Sequence, residues 1–259
     1  MPKLAANLSF FFQDRPFLSR FEAARHCGFR GVEFMFPYDH PADDVAAAAR
    51  DAGVSVVLFN APPGDWPAGD RGLAVSADRR DEFQRSIALA FDYAAVLKPG
   101  ALHVMAGLAD PADAVATATY IDNLRWAAAQ APQGLRLTIE PINPRDMPGY
   151  FLRGSDQAMG VLDAVGADNV RLQYDLYHAQ IVEGDLTRRL ERLIPRIGHV
   201  QIAGVPDRNE PDRGETNHRW LLDRLDALGY AGWVGCEYRP AGDVAAGLGW
   251  AADYGVVPD

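Results

Sequence analysis

Eight short apolar runs, each followed by a longer stretch of helical period, alternate along this chain, and that alternation constrains the fold more than any other feature. The runs, rich in β-branched and aromatic residues, cover 4–10, 31–34, 54–59, 101–105, 135–140, 170–175, 197–203 and 233–238. Runs of this length and character read as strands of a parallel sheet buried on both faces. The segments between them, 16–27, 41–52, 77–97, 111–131, 155–165, 181–194, 217–228 and 242–254, carry helical patterns. Gly28, Gly53 and Gly229 follow three of these, where a helix closes on a left-handed residue. Pro16, Pro41 and Pro111 stand near helix starts, where a missing N–H costs nothing.

Eight such units in 259 residues predict a single α/β domain, a (β/α)8 TIM barrel over 1–259, in preference to an open doubly wound sheet. No GxGxxG and no Walker lysine follows any strand, so dinucleotide and P-loop readings fall away. A net charge of −10 leaves no basic footprint for a phosphate backbone and argues against nucleic acid as a partner. No apolar run approaches the roughly 18 residues that a membrane helix needs, which argues against a membrane partner. Residues 1–12 read as a strand and not as a leader peptide. Cys27 and Cys236 lie far apart without CxxC spacing, so neither a disulfide framework nor a thiolate zinc site is indicated, and a cytoplasmic, reducing location fits.

In such a barrel the carboxyl ends of the strands converge on one mouth. The polar residues toward the carboxyl ends of these runs are Asn7, Glu33, Asn60, His103, Glu140, Asp175, Gln201 and Glu237. A carboxylate at the end of an apolar strand is expensive to desolvate unless it is paired or bound to a cation. Glu140, Asp175 and Glu237, with the side-chain oxygen of Gln201, therefore point to a shared metal ion. An all-oxygen set is hard and selects Mg2+ or Mn2+ over zinc. Three long connections, 61–76, 141–154 and 204–216, all follow strands and would cover the pocket. Phe10, Phe11, Phe12, Phe36, Tyr38 and Trp66 are candidates for its apolar wall or for plain core, and Glu33 and Asn60 for its lining.

Several motifs resemble one family in order along the chain. They are Ile139-Glu140-Pro141-Ile142-Asn143, Gln173-Tyr174-Asp175 with Tyr177-His178, and His199-Val200-Gln201-Ile202-Ala203. Pro206, Arg208, Glu210-Pro211, Gly214-Glu215 and Gly235-x-Glu237-Tyr238 follow, and Asn7-Leu8-Ser9 and Val32-Glu33-Phe34 precede them. Together they are similar to the hydroxypyruvate isomerase family of xylose-isomerase-like barrels, over essentially the whole chain. The resemblance implies a metal held by Glu140, Asp175, Gln201 and Glu237, with Glu140 and Glu237 also the proton-transfer pair. Gln at position 201 is typical of the isomerases, where related epimerases place His.

The implied reaction interconverts hydroxypyruvate and tartronate semialdehyde, or acts on 2-oxotetronate, by moving a proton between adjacent carbons through an enediolate. A divalent cation would stabilise the developing charge. Arg208 offers a planar fork for a substrate carboxylate; His178 either hydrogen-bonds a substrate oxygen or bonds backbone at a helix start. Glu210 and Glu215, in the same loop as Arg208, read as arginine partners. A ketose 3-epimerase is the alternative. An endonuclease-like phosphodiesterase fits poorly with 6 histidines, and a noncatalytic sugar-acid binder fits poorly with an intact glutamate pair. Barrels of this kind often associate, so a homo-oligomer is admissible.

Overall fold

In the computed structural model, which describes residues 1–259, eight parallel strands close into a barrel in chain order. They are β1 (Lys3–Asn7), β2 (Gly31–Phe34), β3 (Ser55–Asn60), β4 (Ala101–His103), β5 (Arg136–Ile139), β6 (Val170–Asp175), β7 (Ile197–Ile202) and β8 (Trp233–Cys236). Around them run α1 (Arg20–His26), α2 (Ala42–Ala52), α3 (Arg80–Leu97), α4 (Ala114–Gln130), α5 (Ser155–Val165), α6 (Leu176–Val182), α7 (Leu186–Leu193), α8 (His218–Ala227) and α9 (Val244–Gly247). The seam closes where β8 pairs with β1, Ala5 beside Gly235. No helix is long and apolar enough to cross a membrane.

Several strands end earlier than their apolar runs. β5 stops at Ile139 and β8 at Cys236, so Glu140 and Glu237 are the first residues of the loops above them. Apolar character continues past β4 because the loop is itself buried, at Val104, Met105 and Ala106. The predicted helix over 181–194 is two helices. Asp175 caps α6 by accepting from the Tyr177 N–H at 2.8 Å, and Gly184 and Asp185, with φ of 62° and 47°, break the chain before α7. The 242–254 segment is the short α9 followed by a 3-10 turn, Leu248–Tyr254. Pro111 lies ahead of α4, whose cap is Asp113, accepting from the N–H groups of Val115 and Ala116.

The two-residue period of each strand sorts its side chains. Outward residues such as Phe34, Leu137, Leu172, Val200 and Val234 are buried in one apolar layer between sheet and helices. Inward residues change character with height. At the amino-terminal end Ala5, Val57 and Ala101 form a separate apolar plug with Trp233. Gly31 makes room for that indole, since a Cβ there would lie 2.7 Å from the ring.

Above the plug the interior is polar and arranged in two tiers. Residues two apart on a strand share a face, so Thr138 stands below Glu140, Gln173 below Asp175, His199 below Gln201 and Gly235 below Glu237. The barrel thus carries acids at its mouth and a hydrogen-bonded platform beneath them.

Candidate active site

Glu140 and Asp175, at the mouth, are 4% and 2% exposed, and each has an oxygen without a partner: Glu140 Oε1 and Asp175 Oδ2. His178, on the first turn of α6, brings Nε2 to 3.5 Å from Asp175 Oδ2 and 3.8 Å from Glu140 Oε1. One donor atom from each of these three residues lies within 4.8 Å of the other two. Buried, unpartnered carboxylate oxygens that converge in this way fit a divalent cation, which would relieve a desolvation cost that Arg208 offsets only in part. The Asp175 and Glu140 oxygens would hold it, with Glu237 and Gln201 beside them.

The tautomer of His178 follows from its neighbours. The Asp146 N–H donates to Asn143 Oδ1 at 2.9 Å, so the Asn143 amide nitrogen is turned to His178 Nδ1 at 2.6 Å. Nδ1 therefore accepts. Burial and the nearby Arg208 push the imidazole pKa well below its usual value, so the ring is neutral with its proton on Nε2, facing the acids. In that state His178 is a donor to an oxygen and not a metal ligand.

Arg208 sits among the acids. Its Nη2 is 3.0 Å from Glu237 Oε1 and 3.6 Å from Asp175 Oδ2, and Nη1 is 3.3 Å from Asp146 Oδ2. The rings of Tyr177 and Phe10 lie 4.9 and 5.1 Å from the guanidinium. Its backbone has φ of 57°, a left-handed conformation that costs a non-glycine residue about 1–2 kcal/mol. The 204–216 loop imposes it through Arg208 N–H to Gly204 O at 2.8 Å and Arg239 N–H to Arg208 O at 2.7 Å.

The acids repel one another. Burial, then the charges of Glu237 and Asp175, push the Glu140 carboxyl well above the usual range. Burial pushes Glu237 up to about 8 against the pull of Arg208, and Asp175 up to about 6. In the cation-free fold such a cluster retains a proton near neutral pH.

The platform below is fully paired. Gln173 accepts from Thr138 Oγ1 at 2.9 Å and donates to Glu140 Oε2 at 3.1 Å and to Gln201 Oε1 at 2.7 Å. Gln201 donates in turn to Glu33 Oε1 at 2.8 Å. Glu33, fully buried, also accepts from Asn7 Nδ2 at 2.9 Å and meets His199 Nε2 at 2.6 Å. Gly235 leaves the space for this carboxylate, because a Cβ there would lie 2.3 Å from it.

The sequence places the eight strand-end residues at one mouth; the structure brings them to the barrel interior on two levels. Glu140, Asp175, Gln201 and Glu237 form the upper one, and Glu33 lies below, reaching the upper tier through Gln201. Asn60, His103, Glu140, His178, Arg208 and Glu237 line one cavity of about 260 Å³. His103 stands 3.5 Å from Glu140 Oε2, and burial holds its pKa down at about 3. Phe10 and Trp66 belong to the cavity wall, Phe36 packs on Trp66 at 5.3 Å, and Phe11 is core against Tyr238. Glu215 accepts from Gln180 rather than from an arginine, and Glu210 holds the Ala241 N–H with Arg213 only at 3.9 Å. Sequence reasoning passed over Gln173, which bridges Glu140 and Gln201, and Arg71 and Asp146 on the cavity wall. The two-residue spacing from Asp175 was the available signal for Gln173.

With this geometry in hand, comparison with known proteins is consistent along the chain. The sequence profile of the family described as xylose isomerase-like TIM barrel matches residues 21–254. The chain belongs to that family. A 2-oxo-tetronate isomerase from Cupriavidus necator is 52% identical over 98% of this chain and 99% of its own length. A hydroxypyruvate isomerase from Escherichia coli is 42% identical over 98% of this chain and 100% of its own. A crystal structure described as an AP endonuclease, family 2, from Brucella melitensis superposes with a TM-score of 0.96 at 48% identity, covering 98% of this chain and 99% of that one. Within the family the chain is an isomerase of the hydroxypyruvate isomerase kind.

Proposed function

We propose that the chain moves a proton between adjacent carbons of a short 2-oxo acid, interconverting hydroxypyruvate and tartronate semialdehyde or doing the same to 2-oxotetronate. The observation that carries this reading is the pair of buried, unpartnered oxygens on Glu140 and Asp175, with Glu140 and Glu237 lining a cavity of about 260 Å³. The 52% identity to a 2-oxo-tetronate isomerase favours the four-carbon acid.

Glu140 and Glu237 approach the substrate from strands five and eight. One, ionised, takes the proton from the hydroxyl-bearing carbon; the C–H electron pair forms a carbon–carbon double bond and the carbonyl π pair moves onto its oxygen, giving the enediolate. The other, protonated, gives a proton to the former carbonyl carbon, the hydroxyl proton passes to the former carbonyl oxygen, and the carbonyl reforms one position along. Enclosure raises both carboxyls in the cation-free fold, a bound cation would draw them down again, and the two residues trade roles in the reverse direction. His178, with its proton on Nε2, donates to a substrate oxygen as that oxygen gains charge. Arg208 offsets part of the repulsion among the two glutamates and Asp175. A bound Mg2+ or Mn2+ supplies further stabilisation to oxygens that become anionic.

Proton NMR of the Mg2+-loaded enzyme in D2O, with an EDTA-treated sample beside it, tests the reading. Cation-dependent appearance of the aldehyde isomer from either acid, with deuterium entering from solvent, supports it. Inversion of one carbon of a longer ketose, with the carbonyl left in place, would make the chain a 3-epimerase instead. The phosphodiesterase reading raised by the Brucella protein's description has little support here, since only His103 and His178 among the histidines reach the cavity and the chain carries −10 charge.

A further inference from the structure

We infer that Arg71, and not Arg208, is the guanidinium that receives the substrate's carboxylate. The inference rests on the sugar-acid reading above and adds the group that separates an acid from a neutral molecule of the same shape. Three arginines line the cavity: Arg71, Arg208 and Arg239. Arg208 is already neutralised by Glu237, Asp175 and Asp146. Turning it to a substrate anion would take its charge from Asp175 and Glu237, two acids enclosed by the barrel, and leaving enclosed acids unpaired is costly. Arg239 is exposed at the rim, where solvent and salt screen its charge.

Arg71 differs from both. Its guanidinium lies 4.0 Å from the centre of the Trp66 ring, and Nη1 donates to the carbonyls of Trp66 at 3.1 Å and Asp70 at 2.6 Å. The rest of the fork makes no hydrogen bond within the protein. The nearest acid in sequence, Asp70, is taken: Arg79 grips both its oxygens at 2.7 Å, and the Asp65 N–H donates to it at 2.7 Å. Arg71 thus brings a guanidinium with no carboxylate hydrogen-bonded to it, already fixed in direction, to the wall of the cavity that holds Glu140 and Glu237.

The 61–76 loop is wound to hold it there. Asp70 N–H reaches Asp65 O and Gly72 N–H reaches Pro63 O, both at 2.9 Å. Gly72 has φ of 115°, and a Cβ on it would lie 2.4 Å from the Met105 carbonyl, so the chain passes where only glycine fits. A planar fork fixed before the ligand arrives loses little freedom when it pairs with a planar carboxylate.

Calorimetric titration with D-glycerate, which has the acid and hydroxyls but no carbonyl to isomerise, and with its neutral amide tests the assignment in the Mg2+-loaded enzyme. The parent prefers the acid. R71Q is expected to weaken glycerate binding about 10- to 100-fold while leaving the amide nearly unchanged. R71K, which keeps the charge and loses the fork, falls between them and serves if R71Q folds poorly. Unchanged preference in R71Q and R71K, or a preference that collapses in R239Q instead, overturns the assignment. Isomerisation followed by NMR on the same samples separates the two readings. A parent that turns over 2-oxo acids with R71Q unaffected removes the anchor and keeps the isomerase. A parent that binds glycerate through Arg71 but isomerises neither acid keeps the anchor and removes the proposed reaction.

Discussion

Glu33 and Glu140 are both carboxylates enclosed by the barrel, and they are treated in opposite ways. Glu33 has three partners at 2.6 to 2.9 Å and a glycine opposite to make room for it. Glu140 has one oxygen held by Gln173 and another with no partner, next to two further acids that push its pKa up. A buried charge that is fully paired holds a shape. One that is left short of partners, in a cavity, is held ready for a cation or a substrate, and the protein carries it at a cost to its own stability.

The comparison breaks most visibly in turnover. Glu140→Gln and Glu237→Gln are expected to lower kcat about 10²–10⁴-fold, the usual contribution of a positioned acid or base, as read from the rate of solvent deuterium incorporation. If either amide variant retains parental exchange, the two glutamates are not the proton-transfer pair.

Stability should respond with opposite signs in the two tiers. Glu33→Gln brings an amide NH2 against Asn7, Gln201 and His199, all of which point donors at that site. A loss of about 3 kcal/mol is expected, or roughly 6–12 °C in Tm for a chain of this size. Glu140→Gln removes a carboxylate that the cation-free fold must keep buried, so its Tm in EDTA should match or exceed the parent's. Equal losses in both variants would mean that the tiers do not differ in kind.

A third expectation concerns pH. Glu237 titrates near 8 in the fold against a reference of 4.5, so the native state binds more protons between those values. Its contribution to stability is therefore full below 4.5 and is lost as pH rises through 8. His103 and His218 are buried neutral, with pKa values lowered by burial to about 3 and about 4. Their contribution is full above 6.5 and is lost as pH falls through those lower values. Thermal scans in EDTA should show Glu237→Gln gaining on the parent as pH rises from about 5 to 8. The slope carries this comparison, because the amide also alters the contact with Arg208. A flat difference would show that Glu237 is not held above its ordinary pKa.

The sequence made the barrel legible because each strand is an apolar run bounded by turn residues, and eight of them leave few ways to close. It showed one helix over 181–194 and not the start of α6 at Leu176 or the break at Gly184 and Asp185, because Leu176–Val182 is too short to declare a helical period. The upper tier was legible as polar residues at strand ends. Its separation from Glu33 was not, because height inside a barrel depends on the stagger between strands, which only the closed structure sets. Arg71 was hidden for another reason. Next to Asp70 it reads as one of a solvated pair, and only the grip of Arg79 on Asp70 shows that the Arg71 fork has no carboxylate hydrogen-bonded to it.

The smallest expected effect tells whether losses in the lower tier belong to the site or only to the fold. Asp113 caps α4 by accepting from the N–H groups of Val115 and Ala116, on the outer ring and away from the cavity. Asp113→Ala is expected to cost about 1 kcal/mol, or roughly 2–4 °C in Tm, with kcat and KM as in the parent. Glu33→Gln should behave differently at a comparable fraction folded. Releasing Glu33 frees the Gln201 amide, which meets Gln173, and Gln173 holds Glu140 Oε2. A shift of one side chain in that series reaches Glu140, the glutamate proposed to exchange the proton. Activity should therefore fall in Glu33→Gln even at temperatures where it is fully folded, whereas Asp113→Ala loses activity only as it unfolds. If both variants track their melting curves alone, the lower tier supports the barrel without aligning the acids above it.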